Sequence, residues 1–157
     1  LSLVHSACAS AASFLDRHRR GCPNGARFRL APITSWEVND TDELASTLAP
    51  LEAVQTQFND NARAKRAISM ADIIFLSGAA AIESAAAERG HDLTIGFTPG
   101  RMDASQAQTD VDSFAALEPV ADGFRNYYDE ARNYMSPVGA MIDHAHLHAL
   151  TPPEMTA

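Results

Sequence analysis

Six histidines and two cysteines hold most of the reactive groups in this sequence, and their spacing sorts them. In "DHAHLHAL", His144 and His148 stand one helical turn apart on a shared face, with Asp143 beside them. Two imidazoles and a carboxylate so placed suit a divalent metal. No HExxH pattern and no cysteine pair accompanies them, and the helix turns His146 away from the other two. Structural histidines, exposed or half-buried, explain the cluster as readily. His91 beside Asp92 has the makings of an acid–base pair. It also follows Gly90, a helix-ending glycine, and a histidine at a helix C-terminus is favoured by the dipole alone. Ser10 and Ser13 have no base assigned by spacing. Trp36, Tyr127, Tyr128 and Tyr134 are suited to stacking or electron transfer, and equally to helix packing. No GxGxxG, P-loop or GxSxG pattern occurs. Cys8 and Cys22 make no framework and no CxxC pair, so both are expected as reduced, unpaired thiols, as in a cytoplasmic protein.

The elements that would position these groups are helices. At 157 residues, 46% of them hydrophobic, the chain has the size and content of one domain or part of a larger one. A net charge of −8 argues against nucleic acid as a partner. No apolar run approaches the ~18 residues of a membrane span. Positive charge gathers in one place, at Arg17, Arg19, Arg20, Arg27 and Arg29. It is read either as a solvated basic loop or as a docking surface for an acidic partner or a second domain.

Leu1, Val4, Cys8, Ala11 and Phe14 recur at helical intervals and predict a first helix with that stripe inward. Gly21, Pro23, Asn24 and Gly25 break it, and Asn24-Gly25 favours a tight turn. A second helix is expected from Asp40, with Glu43 completing a capping box. Its apolar stripe is Leu44, Leu48, Leu51, Val54 and Phe58, with a kink or restart at Pro50. The strongest helix is "SMADIIFLSGAAAIESAAAERG", with Ser69 and Asp72 at capping-box spacing and Gly90 as terminator. Its centre is apolar nearly all round, so deep burial is expected. "DLTIGF" has the composition of a short strand, cut off by Pro99-Gly100, and "TPGRMDASQAQTD" reads as a loop. Shorter helices are expected over about 111–117, from near Gly123, and from Ser136-Pro137 through Met141, Leu147 and Leu150. Thr151, Pro152, Pro153 and Glu154 open a last helix. The chain is therefore expected to be a fragment, truncated at both ends.

Several stretches together resemble a known family. "ISMADIIFLSGAAAIE" is similar to the buried helix of class I haem peroxidases through Ser69, Ala71, Asp72, Leu76, Gly78, Ala81 and Glu83. "FTPGRMDA" resembles the loop that follows it. "NGARFRLAPITSWEVN", "QTDVDSFAALEPVADGFRNY" and "HALTPPEMT" resemble the C-terminal domain of catalase-peroxidases. The likeness runs in order from about Val4 to Thr156. It implies an all-α, haem-peroxidase-like helical domain over 1–157.

In catalase-peroxidases, the resemblance implies, an N-terminal domain binds haem b and a related C-terminal domain keeps the fold without haem. The catalytic domain's distal helix carries an arginine, two residues, then Trp-His. The histidine takes a proton from peroxide, and the arginine stabilises charge as the O–O bond breaks. In "SLVHSACASAASF" the arginine position falls on His5, the tryptophan on Cys8 and the histidine on Ala9. Cys8 also removes the tryptophan that the catalytic domain links to tyrosine and methionine. The proximal histidine would lie beyond Ala157. Pro50 and the histidines of "DHAHLH" depart from the family's pattern.

The implied function is structural: a non-catalytic domain, with no cofactor of its own, of an enzyme that decomposes hydrogen peroxide and oxidises small donors. Its partners would be the haem domain of the same chain, touched in part through Arg17 to Arg29, and a second copy in a dimer. Two alternatives stand beside it: an active class I peroxidase domain with an unusual distal site, and a metal-binding helical protein using His144 and His148.

Overall fold

The computed structural model describes residues 2–11, 24–61, 66–118, 128, 135–147 and 149–156. They fall into two compact units, Leu1–Glu118 and Pro119–Ala157. The first contains helices α1 (Ser2–Ala11), α2 (Thr41–Asn59), α3 (Met70–Glu88) and α4 (Val111–Ala115). Two-residue strands β1 (Asn24–Gly25) and β2 (Met102–Asp103) pair in parallel, Asn24 opposite Met102 and Gly25 opposite Asp103. The second contains α5 (Pro137–Leu147) and α6 (Pro152–Thr156), which pack on each other. Among the described residues the regular structure is thus helical apart from one short bridge.

In the first unit α1, α2 and α3 pack on one another. Their core holds Leu44, Leu48, Leu51, Met70, Ala71, Ile73 and Ile74, with Phe28 and Ile33 from the short 3-10 turns between β1 and α2. Met70 and Ile74 are completely enclosed. α3 comes so close to α1 that a Cβ added at Gly78 would stand 2.3 Å from the Ala7 Cβ, so only glycine fits there. The inward stripe of α1 is accordingly Leu3 and Ala7, with Ser6 buried beside them. The expected stripe through Val4 and Cys8 is about a quarter turn off. Alanine and serine all round give little contrast by which to orient a helix.

α2 runs through Pro50 without a restart. Pro50 lies on the exposed side, where the Ser46 carbonyl that loses its partner faces water, while Leu48 and Leu51 hold the opposite side to the core. The stripe is buried only to Leu51; Val54 and Phe58 are exposed. The expected capping box is half present. Asp40 accepts from the Glu43 N–H at 3.3 Å, whereas the Glu43 carboxylate accepts from the Ser2 hydroxyl and ties α2 to α1. Asn59 then secures the return of the chain, accepting from the Ile68 N–H (2.8 Å) and donating to its carbonyl (3.1 Å).

α3 is buried only over its first half, where Met70 to Ile74, Gly78 and Ala79 face inward. Ile82 is exposed, so the burial expected from the apolar centre lies toward the N-terminal half. At 19 residues α3 is long and apolar enough to cross a membrane by length and composition alone. A core helix has the same character, and its inward half is packed against α1 and α2. α3 ends at Gly90 (φ +79°), with the His91 N–H on the Ala86 carbonyl and the Gly90 N–H on the Ala87 carbonyl. These are the two bonds of a Schellman cap. Residues 91–100 form no strand, and Asn24-Gly25, expected as a turn, is β1.

α5 starts at Pro137 as expected, its first turn capped by Ser136, whose hydroxyl accepts from the Gly139 N–H at 3.1 Å. At α6 the Glu154 carboxylate takes both the N–H (2.8 Å) and the hydroxyl (2.6 Å) of Thr151. These bonds hold the Glu154 carboxyl below the usual carboxylate range. Gly123 lies outside the described residues.

Candidate functional site

α1 is the helix that the family resemblance aligns with the distal helix of the catalytic domain. At ~100° per residue, His5, Cys8 and Ala9 fall on the side away from Leu3 and Ala7. All three are partly buried. Burial pushes the Cys8 thiol up, so it stays protonated and poorly nucleophilic. It is unpaired, as expected; Cys22 lies outside the described residues. The Nδ1 of His5 is enclosed and has no hydrogen-bond partner. Ala9 offers only a methyl group.

The polar chemistry of the unit is concentrated instead where α3 begins. Its first three N–H groups, which no helix can satisfy internally, each meet a side chain. Asp103 accepts from Met70 (2.8 Å) and Ala71 (2.9 Å), and the Ser69 hydroxyl accepts from Asp72 (3.1 Å). Asp72 does not close the capping box. Its buried carboxylate instead accepts from the Gly100 N–H (2.9 Å) and the Arg101 N–H (3.3 Å), and pairs with the Arg101 guanidinium at 3.1 Å. Gly100 has φ +122°, which a residue with a side chain rarely adopts. The same guanidinium donates to the Thr98 carbonyl at 2.9 Å and lies 4.3 Å from the Phe75 ring centroid, while Phe97 sits 6.0 Å from Phe75. The loop is therefore clamped onto α3 by two carboxylates.

Two of the basic residues serve the same end. Arg27 donates to the Gln108 carbonyl (2.7 Å) and the Thr109 hydroxyl (2.8 Å), and lies over Phe114. Arg29 donates to the Ala104 carbonyl at 3.2 Å, and its Nε is enclosed without a partner. Gln106 acts like a strand edge, donating to the Ala31 carbonyl (2.8 Å) and accepting from the Ala31 N–H (3.1 Å). Arg17, Arg19 and Arg20 lie outside the described residues.

His91 and Asp92 are exposed after the Schellman cap. They border an open cleft of about 590 Å³ along the outer side of α3, with Glu83 and Leu93. The Glu83 carboxylate accepts from the Ile95 N–H at 2.7 Å, which holds the loop and not a substrate. In the second unit His144 is partly buried and His146 exposed; His148 lies outside the described residues. Among the described residues no group of three metal-binding side chains gathers.

Sequence reasoning found Ser69, Gly90, Ser136, Thr151 and Glu154 but missed Asp103, Arg101, Gln106 and the true role of Asp72. The only available signal was the likeness of "FTPGRMDA" to a family loop, which marks the segment without saying what it holds.

A peroxide-cleaving distal site needs a base for the peroxide proton and a cation for the charge that develops as the O–O bond breaks. At the positions that the family resemblance gives to the distal groups, α1 presents the methyl group of Ala9, the protonated thiol of Cys8 and the imidazole of His5. The described residues form a helical domain in which Asp72, Arg101 and Asp103 hold the loop on the head of α3. Residues 3–157 match the Peroxidase family, and the chain belongs to it. It is 55% identical to a catalase-peroxidase of Chelativorans sp. (strain BNC1) over 154 residues, 98% of this chain. It is 53% identical to the catalase-peroxidase of Nitrobacter winogradskyi and 54% to that of Yersinia pestis (strain Pestoides F), each over the same share of the chain. The chain spans about a fifth, 21%, of the length of these relatives.

Proposed function

We propose that this chain is the non-catalytic, C-terminal peroxidase-like domain of a catalase-peroxidase. The parent decomposes hydrogen peroxide and oxidises small donors, using haem b held in its N-terminal domain. This domain packs against the haem domain and helps hold its geometry, in a dimeric, cytoplasmic enzyme with no role for nucleic acid or membrane. Arg17, Arg19, Arg20, Arg27 and Arg29 are the basic residues proposed to take part in that contact, Arg27 and Arg29 also fixing the loops they bond.

The observation that carries this reading is Ala9. It occupies the position of the proton-accepting histidine, on a helix whose remaining donors do not replace it. The test is haem titration of the chain, followed by peroxide-dependent donor oxidation, with the chain and with Ala9→His. Weak, non-saturating haem absorbance and no turnover in either protein is the expected result. A saturable one-to-one haem complex with turnover would overturn the reading and favour an active domain. A second test concerns the parent. Gly78→Leu there should lower catalase turnover or alter the haem spectrum, although no residue at the haem is changed. Full activity with this domain unfolded would remove its supporting role.

A further inference from the structure

We propose that Met102 is a site of reversible oxidation by hydrogen peroxide, the first methionine in the chain to react. Its surroundings distinguish it from the other methionines. Met102 is 64% exposed, Met141 43% and Met70 1%, while Met135 and Met155 are partly buried. The exposure of Met102 is fixed by the fold. Its backbone lies in β2, in register with Asn24. The residue before it is held by Asp72 and the residue after it caps α3. The Ala104 N–H closes the bridge on the Gly25 carbonyl at 3.0 Å. With the backbone held on every side, the thioether stands outward without any opening of the fold.

The reaction needs only the thioether and peroxide. A sulfur lone pair takes one peroxide oxygen as the O–O bond breaks. The sulfur loses two electrons and becomes a sulfoxide, and the other oxygen takes up a proton and leaves as water. The new oxygen points to solvent, so no core contact is lost, and methionine sulfoxide reductases return the thioether. Met70 is the opposite case, since an oxygen added there would fall inside the core. No haem takes part, so the proposal stands or falls separately from the function proposed above.

The test is peptide mapping by mass spectrometry of the folded chain under graded hydrogen peroxide. Met102 should gain one oxygen first, at a rate at least about tenfold that of Met70. In urea the rates should converge. Methionine sulfoxide reductase should remove the oxygen from Met102. Met102→Leu should abolish the fastest phase of oxygen uptake and leave the urea midpoint unchanged. Met141 reacting first, Met70 keeping pace, or an unchanged fastest phase in Met102→Leu would each overturn the proposal.

Discussion

α1 and the start of α3 lie side by side in one core and make opposite use of their side chains. α1 carries small or neutral groups, and what it contributes is proximity: Leu3 and Ala7 against a helix with glycine at the crossing. The start of α3 is dense with charge, and each charge has a backbone or guanidinium partner. A helix can thus hold its place in a fold with small side chains, because close packing needs only shape. A charged cluster in a buried place persists only if each member is satisfied. In this molecule the carboxylates and guanidinium at the head of α3 mark architecture, and α1 carries no aspartate, glutamate, lysine or arginine.

That contrast can be broken at its strongest point by Gly78→Leu. The added side chain meets Ala7 at once, and a loss of about 3 kcal/mol or more is expected from overpacking, read from urea unfolding. Pairing it with Ala7→Gly should recover part of the loss; no recovery would mean that the crossing is not the tight point. Asp72→Ala should cost about 2–3 kcal/mol, because it removes the buried carboxylate that accepts from the Gly100 and Arg101 N–H groups and pairs with the Arg101 guanidinium. Asp103→Ala should cost about 2 kcal/mol, through the loss of two capping bonds and a carboxylate at a helix N-terminus. If both aspartate variants unfold like the parent chain, the clamp does not stabilise the fold.

A smaller, local effect is expected at acid pH. The carboxyls of Asp110 and Glu154 are lowered in the folded chain by hydrogen bonds from Ser113 and Thr151. Each therefore contributes fully above the unfolded-state carboxylate pKa and loses its contribution as pH falls through the lower, folded value. The Ser113 and Thr151 amide resonances should report this below the ordinary carboxylate range, and Asp110→Asn or Glu154→Gln should abolish the step at its own site. The smallest effect of all is expected from Ala9→His on stability, since that side of α1 turns away from the crossing with α3; a large loss would place residue 9 inside the packed face.

The sequence was legible where a structural signal and its partner lie within one helical turn. Ser69, Gly90 and Ser136 each act on backbone three residues away, and Glu154 reaches back three residues to Thr151; each was read as a helix boundary. It was illegible where the partner is distant. Asp103 caps an α3 terminus more than thirty residues earlier, and Asp72 looks like a capping-box acid until Gly100 and Arg101 are brought beside it. The rotation of α1 was missed for another reason: alanine and serine scarcely distinguish one face from the next, so the crossing at Gly78, and not hydropathy, decides which side turns in. Pro50 misled because its usual penalty falls on a carbonyl that here faces water.

The Asp103 cap also decides which amides of α3 are slow to exchange with deuterium. In an ordinary helix the first three amides have no internal partner and exchange early, whatever the stability of the rest. Here Met70 and Ala71 are hydrogen-bonded to a residue on a distant loop. Their exchange therefore requires that loop to lift. Two amides at the head of a helix become a clock for the opening of a segment thirty residues downstream, and deuterium uptake there would measure how often the loop around Met102 leaves its seat.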